Sequence, residues 1–130
     1  MFTEHFSNKQ KSVFLHLLNR LVEADGHVSP VERAKLNEYQ ALYSPIIPEI
    51  VADDTLATFF PSRKDKASLL LELLAVGMLN PEYAYNELDG QFLIKLAKDL
   101  KVSDQDFGWM KAWVANLLFL LDQTKKIMAD

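Results

Sequence analysis

The sequence predicts an all-α fold: one domain over residues 1–130, a compact bundle of about six to seven helices in two similar halves. Three observations carry that expectation. Apolar residues recur at helical spacing along every long segment. Residues suited to cap a helix stand just ahead of those segments, several followed by Pro or by an acid three positions on. No run alternates apolar with polar residues between hairpin turns, and the Asp25-Gly26 pair falls between helical periods instead.

The first helix is expected over residues 8–24. Val13, Phe14, Leu17, Leu18, Leu21 and Val22 give it one apolar face, and Ser7 with Gln10 makes a capping box at its start. Asp25-Gly26 ends it, because Gly adopts the left-handed conformation that closes a helix. Ser29-Pro30-Val31-Glu32 opens the second helix with a cap, a first-position Pro and a Glu that completes the box. Pro45, Pro48 and Pro61 then interrupt the pattern. Short helices are expected over 48–52 and 55–60, with Phe59 and Phe60 turned inward.

Ser62 with Asp65 reads as another capping box, starting a helix over 62–79. Leu69, Leu70, Leu71, Leu73, Leu74, Val76 and Met78 leave it almost no polar face, which makes it the central, buried helix. Asn80-Pro81 repeats the cap-and-Pro pattern ahead of a helix over 82–100 that carries Tyr85, Leu88, Phe92, Leu93, Leu96 and Leu100. Gly90 inside it costs ~1 kcal/mol against Ala, and a close helix crossing would explain it. Ser103 with Asp106 caps the last long helix, which carries Phe107, Met110, Trp113, Val114, Leu117, Leu118 and Leu121, with Lys125 and Lys126 suited to its C-terminal end.

Composition bounds the chemistry. Hydrophobic residues at 49% and charged residues at 25% are those of an ordinary soluble domain, able to bury a core without staples. There is no cysteine, so disulfides, thiolate metal sites and a Cys nucleophile are excluded. With a net charge of −4 and scattered Lys and Arg, no electrostatic footprint for nucleic acid exists. Met1-Phe2-Thr3-Glu4-His5 lacks a basic region leading into an apolar one, and the most apolar stretch, 113–121, is too short to span a bilayer. The expectation is a cytoplasmic protein without membrane insertion.

The stretch Glu23-Ala24-Asp25-Gly26-His27-Val28-Ser29-Pro30-Val31-Glu32 resembles the Ala-Asp-Gly-x-hydrophobic-Ser-x-x-Glu signature of the TerB-like domains. These are named for tellurite-resistance proteins and occur also in a membrane-anchored DnaJ-type co-chaperone. Phe92-Leu93-Ile94-Lys95-Leu96-Ala97-Lys98-Asp99-Leu100-Lys101-Val102-Ser103 resembles the second-half helix and its loop, so the similarity spans most of 17–113. It implies an all-helical fold of two similar halves and a stress-associated interaction or adaptor role without catalysis. The second-half turn, Val76-Gly77-Met78-Leu79-Asn80-Pro81, departs from the pattern in lacking the Asp-Gly pair.

Three kinds of site are weighed. Asp25, Glu32 and Glu87 would offer carboxylates to a divalent cation if the two hairpins pack face to face, and hard cations such as Ca²⁺ or Mg²⁺ take oxygen ligands. The resemblance adds metal binding as an expectation, whereas helix capping by Glu32 and turn closure by Asp25 explain both residues without a metal. No cofactor is required. His5, His16 and His27 do not reach zinc spacing and are read as solvent-facing or capping.

An enzyme is not expected, since no nucleophile elbow, P-loop or dinucleotide fingerprint is present, and Asp53-Asp54 reads as a solvated or capping pair. Lastly, Trp109, Trp113 and Phe119 on the last helix make a candidate surface for a protein partner or for a homodimer through 113–121. Of the three, Trp113 is expected to complete the core, and Trp109 and Phe119 to be exposed. Tyr83 and Tyr85 beside Pro81 either border a groove between the halves or pack around the turn.

Overall fold

Four serines start four of the helices. In α1 (Asn8–Val22), Ser7 Oγ accepts the Gln10 N–H at 3.1 Å and Gln10 Oε1 accepts the Ser7 N–H at 2.9 Å. In α2 (Pro30–Tyr43), Ser29 and Glu32 form the same reciprocal pair, at 3.1 Å in each direction. Ser62 opens α4 (Arg63–Gly77) and Ser103 opens α6 (Asp104–Met128), each hydroxyl accepting the N–H three residues on. The Ser62–Asp65 box closes in one direction only. An Asp side chain is one methylene shorter than the Glu or Gln of a full box, and the Asp65 carboxylate instead receives Gln10 Nε2 at 3.2 Å and pairs with His5 Nε2 at 3.1 Å.

The structure is a computed structural model and describes residues 2–24, 26, 28–78 and 87–129, the side chains of 87–89 excepted. A 3₁₀ turn, Asp53–Thr55, leads into the four-residue α3 (Leu56–Phe59), and α5 (Glu87–Asp99) completes the set. Among the described residues the chain is thus an all-α bundle of six helices with no strand. Gly26, at φ +78°, follows α1 as a left-handed closing residue. Lys101, at φ 62°, does the same for α5, where the Lys101 and Val102 N–H groups return to Lys98 and Ala97 in a Schellman pattern. The Asn80-Pro81 cap, Tyr83 and Tyr85 lie outside the described residues.

The expected helix over 48–52 is absent, and the segment has no regular secondary structure. Its polar groups find partners on α1: the Glu49 N–H donates to the Ser12 carbonyl at 3.0 Å, the Ser12 hydroxyl donates to the Ile47 carbonyl, and Lys9 pairs with the Glu49 carboxylate. With those bonds made outside, no helical turn is needed to satisfy the backbone. The second short helix does form as α3, ending at Phe59, because its cap residue Phe60 precedes Pro61 and cannot easily stay helical. Phe60 is fully buried and meets Phe6 edge-on at 5.4 Å, while Phe59 is half-buried.

α4 is the centre. It packs against α1, α2, α5 and α6, and Leu69, Leu70, Leu73 and Leu74 are wholly removed from water. Each such Leu contributes roughly 1.5–3 kcal/mol of burial. Around it lie Phe14, Leu17, Leu18 and Leu21 of α1 and Leu93, Leu96 and Leu100 at the end of α5. Gly77 faces this contact, and a Cβ there would meet Leu93 Cδ1 at 3.6 Å and Leu21 at 3.8 Å, ordinary packing distances. Gly90 is buried as well, on the same α5. Among the described residues no helix is long and apolar enough to cross a membrane.

Leu73→Ala should therefore lower unfolding free energy by ~2–5 kcal/mol in denaturant melts, because it opens a cavity in the middle of the bundle. A change below 1 kcal/mol would mean that α4 is not the core.

Candidate functional site

The last helix outruns the body. At 1.5 Å per residue, the 25 residues of α6 extend for about 38 Å, against about 22 Å for the 15 residues of α4. The core takes one line of α6: Phe107 and Val114 are buried, and Met110, Leu117 and Leu118 are half-buried. From Phe119 to the end of the helix every residue is exposed. The apolar residues nevertheless continue, so α6 carries more greasy surface than the bundle covers.

That surface includes the three aromatic residues named from the sequence, with one correction. Trp113 does not complete the core: it is 50% exposed, because it stands about 100° around the helix from Val114. Its ring meets Phe2 edge-on at 5.8 Å. Trp109 is 69% exposed and Phe119 58%, as expected. On a helical wheel Trp109, Trp113, Leu120 and Ile127 fall within about 40° of one another, and Phe119 lies about 100° from Leu120. The two tryptophans thus share an exposed line with Leu120 and Ile127, and Phe119 is not on it.

Beside this line α6 and α2 enclose a cleft of about 290 Å³. Leu117 and Leu121 form one side, Lys35 and Leu42 the other, and Phe2 closes an edge. Its wall contains Glu72, the acid in the middle of α4, which is 3% exposed. The Glu72 carboxylate accepts the Phe2 N–H at 2.9 Å and the Tyr39 hydroxyl at 2.7 Å. Burial, reinforced by the bond to Glu72, pushes the Tyr39 hydroxyl well above its usual range, so it stays protonated and donates. Tyr43 is raised too, by burial first, with its Thr3 hydrogen bond opposing. These groups tie residues 2–6, where Thr3 and Phe6 are buried, across α2 and α4. Sequence reading missed this strap. The signal was there in Glu72, one acid between Leu71 and Leu73 in a helix with no polar face.

A second polar cluster joins three elements. Asp53 accepts Arg20 Nη1 at 2.7 Å and Lys95 Nζ at 2.9 Å, and Lys95 reaches Asp99 at 2.9 Å. The Arg20 and Lys95 hydrogen bonds hold the Asp53 carboxyl below its ordinary range. Asp99 and Asp53 raise Lys95 in turn. Asp53 is a bridge between α1 and α5, which corrects its reading as a solvated or capping acid. His16, expected at the surface, is half-buried, and burial, aided by the Arg20 charge and opposed by Asp53, lowers its imidazole below the usual range.

Of the three carboxylates named for a cation, Asp25 lies outside the described residues, and Glu87 begins α5 with its side chain outside them. Glu32 has its carboxylate on the Ser29 N–H at 3.1 Å. Among the described residues no group of three or more His, Asp or Glu is placed to hold a metal ion. His5 pairs with Asp65, and His27 lies outside the described residues. Comparison of the chain with protein-family models, curated proteins and solved structures gave no match.

Two measurements check the polar contacts. Glu72→Ala leaves the Tyr39 hydroxyl and the Phe2 N–H without their acceptor and should cost ~1–3 kcal/mol in denaturant melts, most of it recovered in Glu72→Gln. Asp53, lowered in the folded state, stabilises above its ordinary value of 3.8, and that contribution disappears as pH falls through its folded value. Asp53→Asn should cost roughly 1 kcal/mol at neutral pH, with the gap from wild type closing in melts below about pH 4. A gap independent of pH would rule out the charged bridge.

Proposed function

We propose that the chain is a non-catalytic, TerB-like helical module, a stress-associated interaction or adaptor domain that binds a protein partner through the exposed aromatic line of α6. The observation that carries this reading is the placement of both tryptophans on the solvent side of a helix whose other side is in the core. Large exposed apolar side chains aligned in this way mark interfaces, and Trp is among the residues enriched where binding energy concentrates. The TerB-like part of the reading is supported by the Glu23–Glu32 stretch, whose Ser29–Glu32 pair caps a helix following a left-handed Gly26. The Tyr39–Glu72 pair, bonded inward to the strap, is fully used in holding the fold, which favours binding over catalysis.

Retention experiments with the immobilised chain test it. Proteins held by the wild type should be lost from Trp109→Ala/Trp113→Ala, at a cost of ~2 kcal/mol or about thirtyfold in affinity per dominant side chain, with the circular dichroism of the variant unchanged. Equal retention by the variant would remove α6 from the interaction.

A further inference from the structure

We propose that the occupant of this line is a second copy of the same chain, paired antiparallel along α6. The proposal rests on reading the line as a protein-binding surface and names its partner. Three features point to a second copy. The first is the spacing. Positions 109, 113, 116, 120, 123 and 127 follow one another at alternating steps of four and three, the repeat of a helix–helix seam. Trp, Trp, Asn, Leu, Gln and Ile occupy them, so large apolar side chains lie at both ends and two amides lie between. The seam is complete in itself and independent of the core line through Phe107, Val114 and Leu118, which lies roughly 140° around the helix.

The second feature is charge. The first turn of α6 holds Asp104 and Asp106, and the last holds Lys125 and Lys126. A parallel pair would stack acid on acid and base on base. An antiparallel pair centred near Leu118 sets Trp109 against Ile127 of the second copy. It also sets the two helix dipoles opposed, with the basic end of one copy toward the acidic end of the other. The third feature is area. The seam residues Trp109, Trp113, Leu120 and Ile127 are 50–81% exposed. Together they present on the order of 500 Å² of apolar side chain, within the range of patches that mark interaction sites.

Light scattering of the full chain reads the mass directly. Wild type is expected at twice the 14.9 kDa chain mass in the micromolar range, and Leu120→Glu/Ile127→Glu at the single-chain mass with unchanged circular dichroism. Both tryptophans of the sequence are on the seam, so dilution of the wild type should shift Trp emission to the red, and the double variant should start there. Lys125→Glu/Lys126→Glu should weaken the dimer roughly tenfold and recover when Asp104→Lys is added to the same chain, which a parallel pairing, with like charges still stacked at both ends, does not allow. A wild type at the single-chain mass throughout overturns the second copy; if Trp109→Ala/Trp113→Ala still abolishes retention of other proteins, the interaction surface itself stands. A Leu120→Glu/Ile127→Glu variant that remains dimeric, with unchanged emission, overturns the seam.

Discussion

From Ser68 onward α4 has almost no polar face to present to water, and the rest of the bundle is arranged around that constraint. A helix carrying Leu69, Leu70, Leu73, Leu74 and Val76 must be covered on every side, so α1, α2, α5 and α6 each give it one apolar face. Glu72 is the exception within it, and its burial is tolerable only because donors are brought to it. Those donors come from two directions, the Tyr39 hydroxyl on α2 and the backbone of Phe2. A carboxylate in the core therefore specifies where the start of the chain and the second helix must lie, in a way that Leu at the same position would not.

The peripheral polar contacts follow a similar economy. Asp65 gives its N–H to Ser62 and its carboxylate to Gln10 and His5, while Gln10 both completes the α1 cap and donates to the Phe59 carbonyl at 2.9 Å. Asp53 connects α1 to α5 through Arg20 and Lys95, and the Arg20 guanidinium also stands 5.1 Å from the Phe92 ring centre. Short-range signals thus do two jobs, capping a helix locally and joining distant helices, which limits the ways in which the bundle can be assembled.

What could be read from the sequence was whatever is local. The Ser7–Gln10 and Ser29–Glu32 boxes, the Gly26 stop and the buried character of 69–76 depend on neighbours within a few residues, and the structure places them as expected. The strap over residues 2–6 joins residues some seventy positions apart, and Glu72, a lone acid among leucines, signals a buried polar contact without naming its partner. The irregular 46–52 segment is of the same kind, since its partner is Ser12. For the site, the aromatic content of α6 was legible, and the rotation of Trp113 away from the core was not. The apolar arc of that helix is broad enough that periodicity alone does not say which edge the bundle occupies.

The anchoring of Phe2 bears on how the protein can be handled. Because its N–H is held by Glu72 and its ring rests on Trp113, whatever is joined ahead of this residue emerges beside the cleft between α2 and α6. An affinity handle or fusion protein attached there would crowd that cleft. The first few residues thus act as a doorpost, and chemistry done on that end of the polypeptide will be felt at the tryptophans.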